Sequence, residues 1–122
     1  MDLIHVRLNV ADADESAQWY VDELGFERSW EFSSDGTRHV YVADGNGFEI
    51  QLTDPEDVDD VSEAAQVDHL ALGVDDCDAA FDEIENHGVV KQPGDQPAAG
   101  ARTAFIEDPD GHVVELVQPL ED

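Results

Sequence analysis

A chain of 122 residues with 41% apolar content has room for one folded domain with a core of its own. Its 31 Asp and Glu against 5 Lys and Arg leave a formal charge of −26, which excludes nucleic acid as a partner, because phosphate contacts need basic side chains. A single cysteine, Cys77, excludes an internal disulfide, and no apolar run approaches the roughly 18 residues that a membrane span requires. The first residues show no basic segment followed by an apolar one, so no secretion signal is expected and the expected location is cytoplasmic.

Residues 3–10 alternate: Ile4, Val6, Leu8 and Val10 are apolar, while His5, Arg7 and Asn9 face the other way. That is the period of a half-buried strand. Asp12 or Asp14 can cap a helix running to about Leu24, with Ala17, Tyr20, Val21 and Leu24 on one face and Gly25 as its stop. Strands are expected over 27–32, 38–43 and 48–53, with turns at 33–36 and 44–47. In the last of them Phe48, Ile50 and Leu52 share a face, and Glu49, Gln51 and Thr53 share the opposite one. The first module, residues 1–53, therefore reads βαβββ.

Residues 54–66 are rich in acids and read as a linker. A strand follows over 67–74, with His69, Ala71 and Gly73 opposite Leu70, Leu72 and Val74. Asp76 or Asp78 caps a helix through Phe81 and Ile84, stopped by Gly88. Residues 89–91 open a strand, and 92–101, which hold Pro and Gly, read as a loop. The chain closes on a hairpin: strand 103–107, turn chemistry in Asp108, Pro109, Asp110 and Gly111, and strand 112–117. Glu115 sits in that last strand among Val113, Val114, Leu116 and Val117. A carboxylate there needs a partner, because burying an unpaired charge is costly.

The two halves repeat at an offset of 64 residues. His5 corresponds to His69, Leu8 to Leu72, Val10 to Val74, Asp12 to Asp76, Arg38 to Arg102, Tyr41 to Phe105, Asp44 to Asp108, Gly47 to Gly111 and Leu52 to Leu116. Gln51 corresponds to Glu115, so His5–Gln51 and His69–Glu115 both span 46 positions. Each module thus carries one His on its first strand and one oxygen-bearing side chain on its last. His39, His87 and His112 have no counterpart at this offset and are expected on the surface. Cys77, at the start of a helix, is expected to serve core packing.

The segments IHVRLNVADADESAQWYVDELGF, FEIQLTDP, VDHLALGVDD and AFIEDPDGHVVELVQ resemble those of the vicinal oxygen chelate superfamily, which includes glyoxalase I, methylmalonyl-CoA epimerase, extradiol dioxygenases and bleomycin-resistance proteins. The resemblance covers nearly the whole chain. It implies an α+β fold in one domain, with two βαβββ modules (1–53 and 67–118) forming a half-open, eight-stranded barrel-like sheet around a divalent metal. It also implies that His5, Gln51, His69 and Glu115 are the metal ligands. Two imidazoles and two oxygens suit Ni, Zn, Co, Mn or Fe.

What the resemblance implies about activity is a metal-dependent, lactoylglutathione lyase-like enzyme acting on a hemithioacetal of methylglyoxal and a small thiol, as a homodimer. Glu115 would remove a proton next to a carbonyl and the metal would hold the resulting enediolate. Glyoxalase I carries Glu at the position of Gln51, and an amide cannot relay a proton. Glu49, two residues earlier and about 7 Å away on the same strand face, is the candidate second base. Glyoxalase I also has an Arg at the position of Asn9, and here the nearest cation is Arg7; both are candidate substrate contacts. With Gln in the shell the donor set and metal together carry +1, which favours an anionic substrate. Three other readings stay open: an epimerase-like enzyme, a small Fe(II) dioxygenase using His5, His69 and Glu115, and a metal-free binder of the antibiotic-resistance kind. The acid-rich, Lys-poor composition resembles cytosolic proteins of salt-accumulating haloarchaea and predicts a fold that depends on high salt.

Overall fold

In the computed structural model residues 4–54 and 69–120 are described, and the chain divides into two units, Met1–Gln66 and Val67–Asp122. The stretch expected to be a linker lies outside the described residues except for Asp54. The first unit holds β1 (His5–Asn9), α1 (Ala13–Leu24), β2 (Glu27–Ser34), β3 (Thr37–Ala43) and β4 (Glu49–Asp54). Its sheet has the order β1-β4-β3-β2, with β1 parallel to β4 and the other pairs antiparallel. The second unit holds β5 (Leu70–Gly73), α2 (Cys77–Glu83), β6 (Val89–Gln96), β7 (Ala101–Glu107) and β8 (Val113–Pro119), in the matching order β5-β8-β7-β6. Each unit is thus a βαβββ module with a four-stranded sheet, as the alternation of its strands implies. No helix among the described residues is long and apolar enough to cross a membrane.

The even-numbered residues of the strands form the core face. In the first unit Leu8, Val10, Val40, Val42, Ile50 and Leu52 are buried together with Ala13, Ala17 and Tyr20 of α1, which lies against β3 and β4. In the second unit Ala104, Ile106, Val114 and Leu116 are buried with Cys77. At roughly 1.5–3 kcal/mol for each fully buried large side chain, this burial fixes which face of each sheet receives the helix. A slip of one residue would reverse it. The odd-numbered residues are therefore left for other work.

The repeat persists in the hydrogen bonds. Asp12 caps α1 by accepting from Glu15 N at 3.0 Å, and Asp76 caps α2 by accepting from Ala79 N at 3.0 Å. Asp14 and Asp78, the other two capping candidates, instead meet the repeat-related Arg38 and Arg102 at 3.0 and 2.7 Å. These guanidiniums hold both carboxyls below their ordinary pKa. The Asp44 and Asp108 carboxylates each accept two backbone N–H groups across the β3–β4 and β7–β8 turns.

Two expectations about the second unit are corrected. The helix ends at Glu83, with Ile84 extended, well before Gly88. By then the chain is already tied to β7 through His87 N to Glu107 O at 3.0 Å, and Asn86 accepts from Gly88 N at 3.1 Å. The stretch expected to be a loop is mostly strand, because β6 runs on to Gln96. Its Pro93 falls within a register shift between Lys91 and Gly94, and β6 is an edge strand, where a missing N–H is tolerated.

Candidate functional site

The polar face of the first sheet is ordered in rows by strand pairing. His5 stands opposite Glu49; Arg7 is followed across the sheet by Gln51, Tyr41 and Trp30; Asn9 is followed by Thr53, His39 and Phe32. All five residues nominated in this module, His5, Arg7, Asn9, Glu49 and Gln51, therefore share one face. His5 is exposed and meets the Tyr41 ring edge-on at 5.7 Å. Arg7 donates to Asn9 Oδ1 through Nε and a terminal nitrogen, both at 3.2 Å. Ser29, at an irregularity in β2 that also brings Trp30 opposite Tyr41, donates to Glu49.

Two features of this face went unread in the sequence. His39 is buried, which corrects its expected place on the surface. Its odd position puts it on the polar face, where Phe32 stacks on it and its Nδ1 lies 3.1 Å from both Gln51 Nε2 and Thr53 Oγ1. Burial, and then the charge of Arg7, hold its imidazole below the ordinary pKa. The second feature is an aromatic stack. Trp30, 51% exposed, lies face to face with Tyr41 at 4.6 Å and with Phe32 at 4.9 Å. Burial pushes the Tyr41 hydroxyl pKa up, with Glu49 adding to the effect and Arg7 opposing it.

In the second unit Glu115 has its partner: its Oε1 lies 3.0 Å from His69 Nε2. The two side chains are 18% and 34% exposed, so the pair is sheltered but reachable. The row through Glu115 runs from Ala71 to Phe105 and Lys91. Phe105 meets His69 edge-on at 5.6 Å, as Tyr41 meets His5. His69, Val90, Lys91, Phe105 and Val113 line a cavity of about 410 Å³. Lys91 is a further cation in the row of Glu115. His112 is also buried, against expectation; it stands where the first module has Phe48, on the core side of the turn, and its N–H donates to Asp108 at 2.8 Å. His87 is exposed as expected. Cys77 is fully buried, and burial raises its thiol pKa, as suits a packing residue.

Within either unit, among the described residues, no three His, Cys, Asp or Glu side chains gather as a cation site. The first unit offers His5 and Gln51, and the second offers His69 and Glu115. Each unit thus offers one imidazole and one oxygen donor, types that suit a divalent transition metal: His5 is exposed on the face that carries Gln51, and Glu115 lies 3.0 Å from His69.

Residues 2–116 match the model of the Glyoxalase/Bleomycin resistance protein/Dioxygenase superfamily. A probable lactoylglutathione lyase of Synechocystis sp. is 35% identical over 125 residues, covering 97% of this chain and 95% of that protein. The lactoylglutathione lyase of Haemophilus influenzae is 30% identical over 127 residues, covering 97% and 93%. Among solved structures, glyoxalase I from Zea mays superposes with a TM-score of 0.78 at 22% identity. That match takes in 98% of this chain and 45% of the maize chain, so this chain spans less than half the length of that protein.

Proposed function

Because the chain belongs to the Glyoxalase/Bleomycin resistance protein/Dioxygenase superfamily, we propose that it is a metal-dependent, glyoxalase I-like enzyme that isomerises the hemithioacetal of methylglyoxal and a small thiol to the thioester. The observation that carries this reading is the near full-length similarity to proteins named lactoylglutathione lyase. His5 and Gln51 from the first module, and His69 and Glu115 from the second, are the proposed ligands. The metal, when bound, supplies Lewis acidity to the substrate oxygens.

Glu115 takes the proton from the hemithioacetal carbon and returns it to the neighbouring carbon, while the hydroxyl proton passes to the former ketone oxygen, a transfer left to an auxiliary base. His69 Nε2 lies 3.0 Å from Glu115 Oε1, so the two proposed ligands of this module already face one another. Arg7 is the proposed contact for an anionic group of the thiol, and Asn9, which accepts from Arg7, steadies the guanidinium. Glu49 is the proposed auxiliary base. A metal-free binding module is the second reading, favoured by the exposed Trp30 stacked on Tyr41 and Phe32.

Elemental analysis of the native protein and of two variants separates these readings. One transition-metal ion per chain is expected, lost in His69→Ala and retained more weakly in Gln51→Ala. Full occupancy in His69→Ala removes the ligand assignment. Assay with methylglyoxal and a panel of thiols then identifies the carrier, and no turnover with any thiol favours the binding module.

A further inference from the structure

The amide of Gln51 has two chemically different ends, and only its oxygen can serve a divalent cation. Its Nε2 lies 3.1 Å from Nδ1 of His39, and Thr53 Oγ1 lies 3.1 Å from the same Nδ1. An amide nitrogen only donates, so Nδ1 must accept and the ring proton belongs on Nε2. The ring is held in place: its centroid is 4.3 Å from that of Phe32, with the planes 13° apart. Gln51 and Thr53 are buried neighbours on β4, paired across the ladder with Tyr41 and His39.

We propose that His39 is a positioning residue for Gln51: it holds the amide nitrogen, leaves Oε1 as the atom offered to a divalent transition metal, and is the reason position 51 carries an amide rather than a carboxylate. The inference rests on the reading of Gln51 as a ligand. A carboxylate at position 51 has no proton to give, so Nδ1 would face a second acceptor unless the ring moved its proton. The second module lacks this device. Thr103 stands there at the place of His39, its hydroxyl buried with no hydrogen-bond partner among the described residues, and Glu115 meets His69 instead.

Long-range ¹H–¹⁵N correlation spectra of the full-length, metal-free protein test the pairing without any metal. The His39 signals are assigned by their loss in His39→Phe, or by their change in Gln51→Glu should the first variant not fold. The Nε2–H tautomer is expected in the wild type and the Nδ1–H tautomer in Gln51→Glu. A wild-type ring protonated at Nδ1 overturns the proposal.

A second arm measures Ni²⁺ affinity by competition with a chelator. His39→Phe should weaken binding about 10-fold, the low end of the roughly 10–100-fold associated with groups that orient metal ligands. Adding His39→Phe to Gln51→Ala should weaken binding no further. Unchanged affinity in His39→Phe, with Ni²⁺ lost in His69→Ala, overturns the positioning role and leaves the metal site standing. Ni²⁺ retained in His69→Ala removes the ligand reading beneath it, and the tautomer of the wild-type ring still decides how the amide is turned.

Discussion

Glu115 has two duties in the proposed reaction, and its replacement separates them. Glu115→Gln keeps an oxygen for the metal but cannot accept a proton. It should retain much of the bound metal and lose turnover by about 10²–10⁴-fold, read as kcat beside elemental analysis; turnover near that of the wild type removes Glu115 as the base. Glu49, which accepts from Ser29, has a smaller part, and Glu49→Gln should keep all of the metal and lose less activity. Gln51→Glu should raise turnover on hemithioacetals, because it restores a second carboxylate; a fall in kcat would count against the glyoxalase reading. At this scale the placement of the proposed donors on one face of each sheet was legible, because strand parity and the 64-residue offset give it without any knowledge of packing. His39 was not. Its significance lies in Gln51 and Phe32, one on each neighbouring strand, and pairing across a sheet leaves no local trace in the sequence.

Among the elements, the two helices differ in how firmly they are held. α1 has 12 residues, an Asp12 cap and Gly25 in the left-handed conformation at φ 73°, while α2 has 7 residues and ends on an extended Ile84. Loss of an N-cap typically costs about 1 kcal/mol. Asp12→Ala and Asp76→Ala should each lower stability by about that amount in urea titrations, with native-state hydrogen exchange placing the second effect on α2. The repeat-related Arg–Asp pairs set a pH dependence. Asp14 and Asp78 have lowered carboxyl pKa values because Arg38 and Arg102 bond to them. Their contribution is therefore present above the ordinary carboxylate pKa and is lost as pH falls through the lower folded-state value. The stability gap between wild type and Asp14→Asn should close on acidification, and a gap constant down to strongly acid pH would contradict the pairing. Element types followed from periodicity, but the ends of α2 and β6 did not. Pairing with β7 overrides Pro93 and Gly94 there, and no window of local sequence contains β7.

For the whole molecule the governing quantity is charge. Arg28, Arg38 and Arg102 are already committed to Asp14, Glu31, Asp78 and Asp95, and with 5 Lys and Arg against 31 acids in the sequence the net charge of −26 stays largely uncompensated. Its self-repulsion is screened only when the Debye length shrinks to about 3 Å near 1 M salt. The melting temperature followed by circular dichroism should rise steeply between dilute buffer and molar KCl, and equal values would remove the salt-adapted reading. The fold itself was legible in outline at this scale because the sequence states its pattern twice.

The strand order has a consequence for synthesis. Among the described residues, the earliest strand of each sheet lies at the edge and pairs only with the latest, β1 with β4 and β5 with β8. A nascent chain leaving the ribosome can form the hairpins β2–β3 and β6–β7 at once, but β1 must wait for β4, and loop closure of that span precedes any reward from pairing. Gln51 and Glu115 lie on those last strands, opposite Arg7 and Ala71. The proposed ligands of each module thus become neighbours only when its sheet is complete, so that a half-made module does not yet present its proposed His and oxygen donor together.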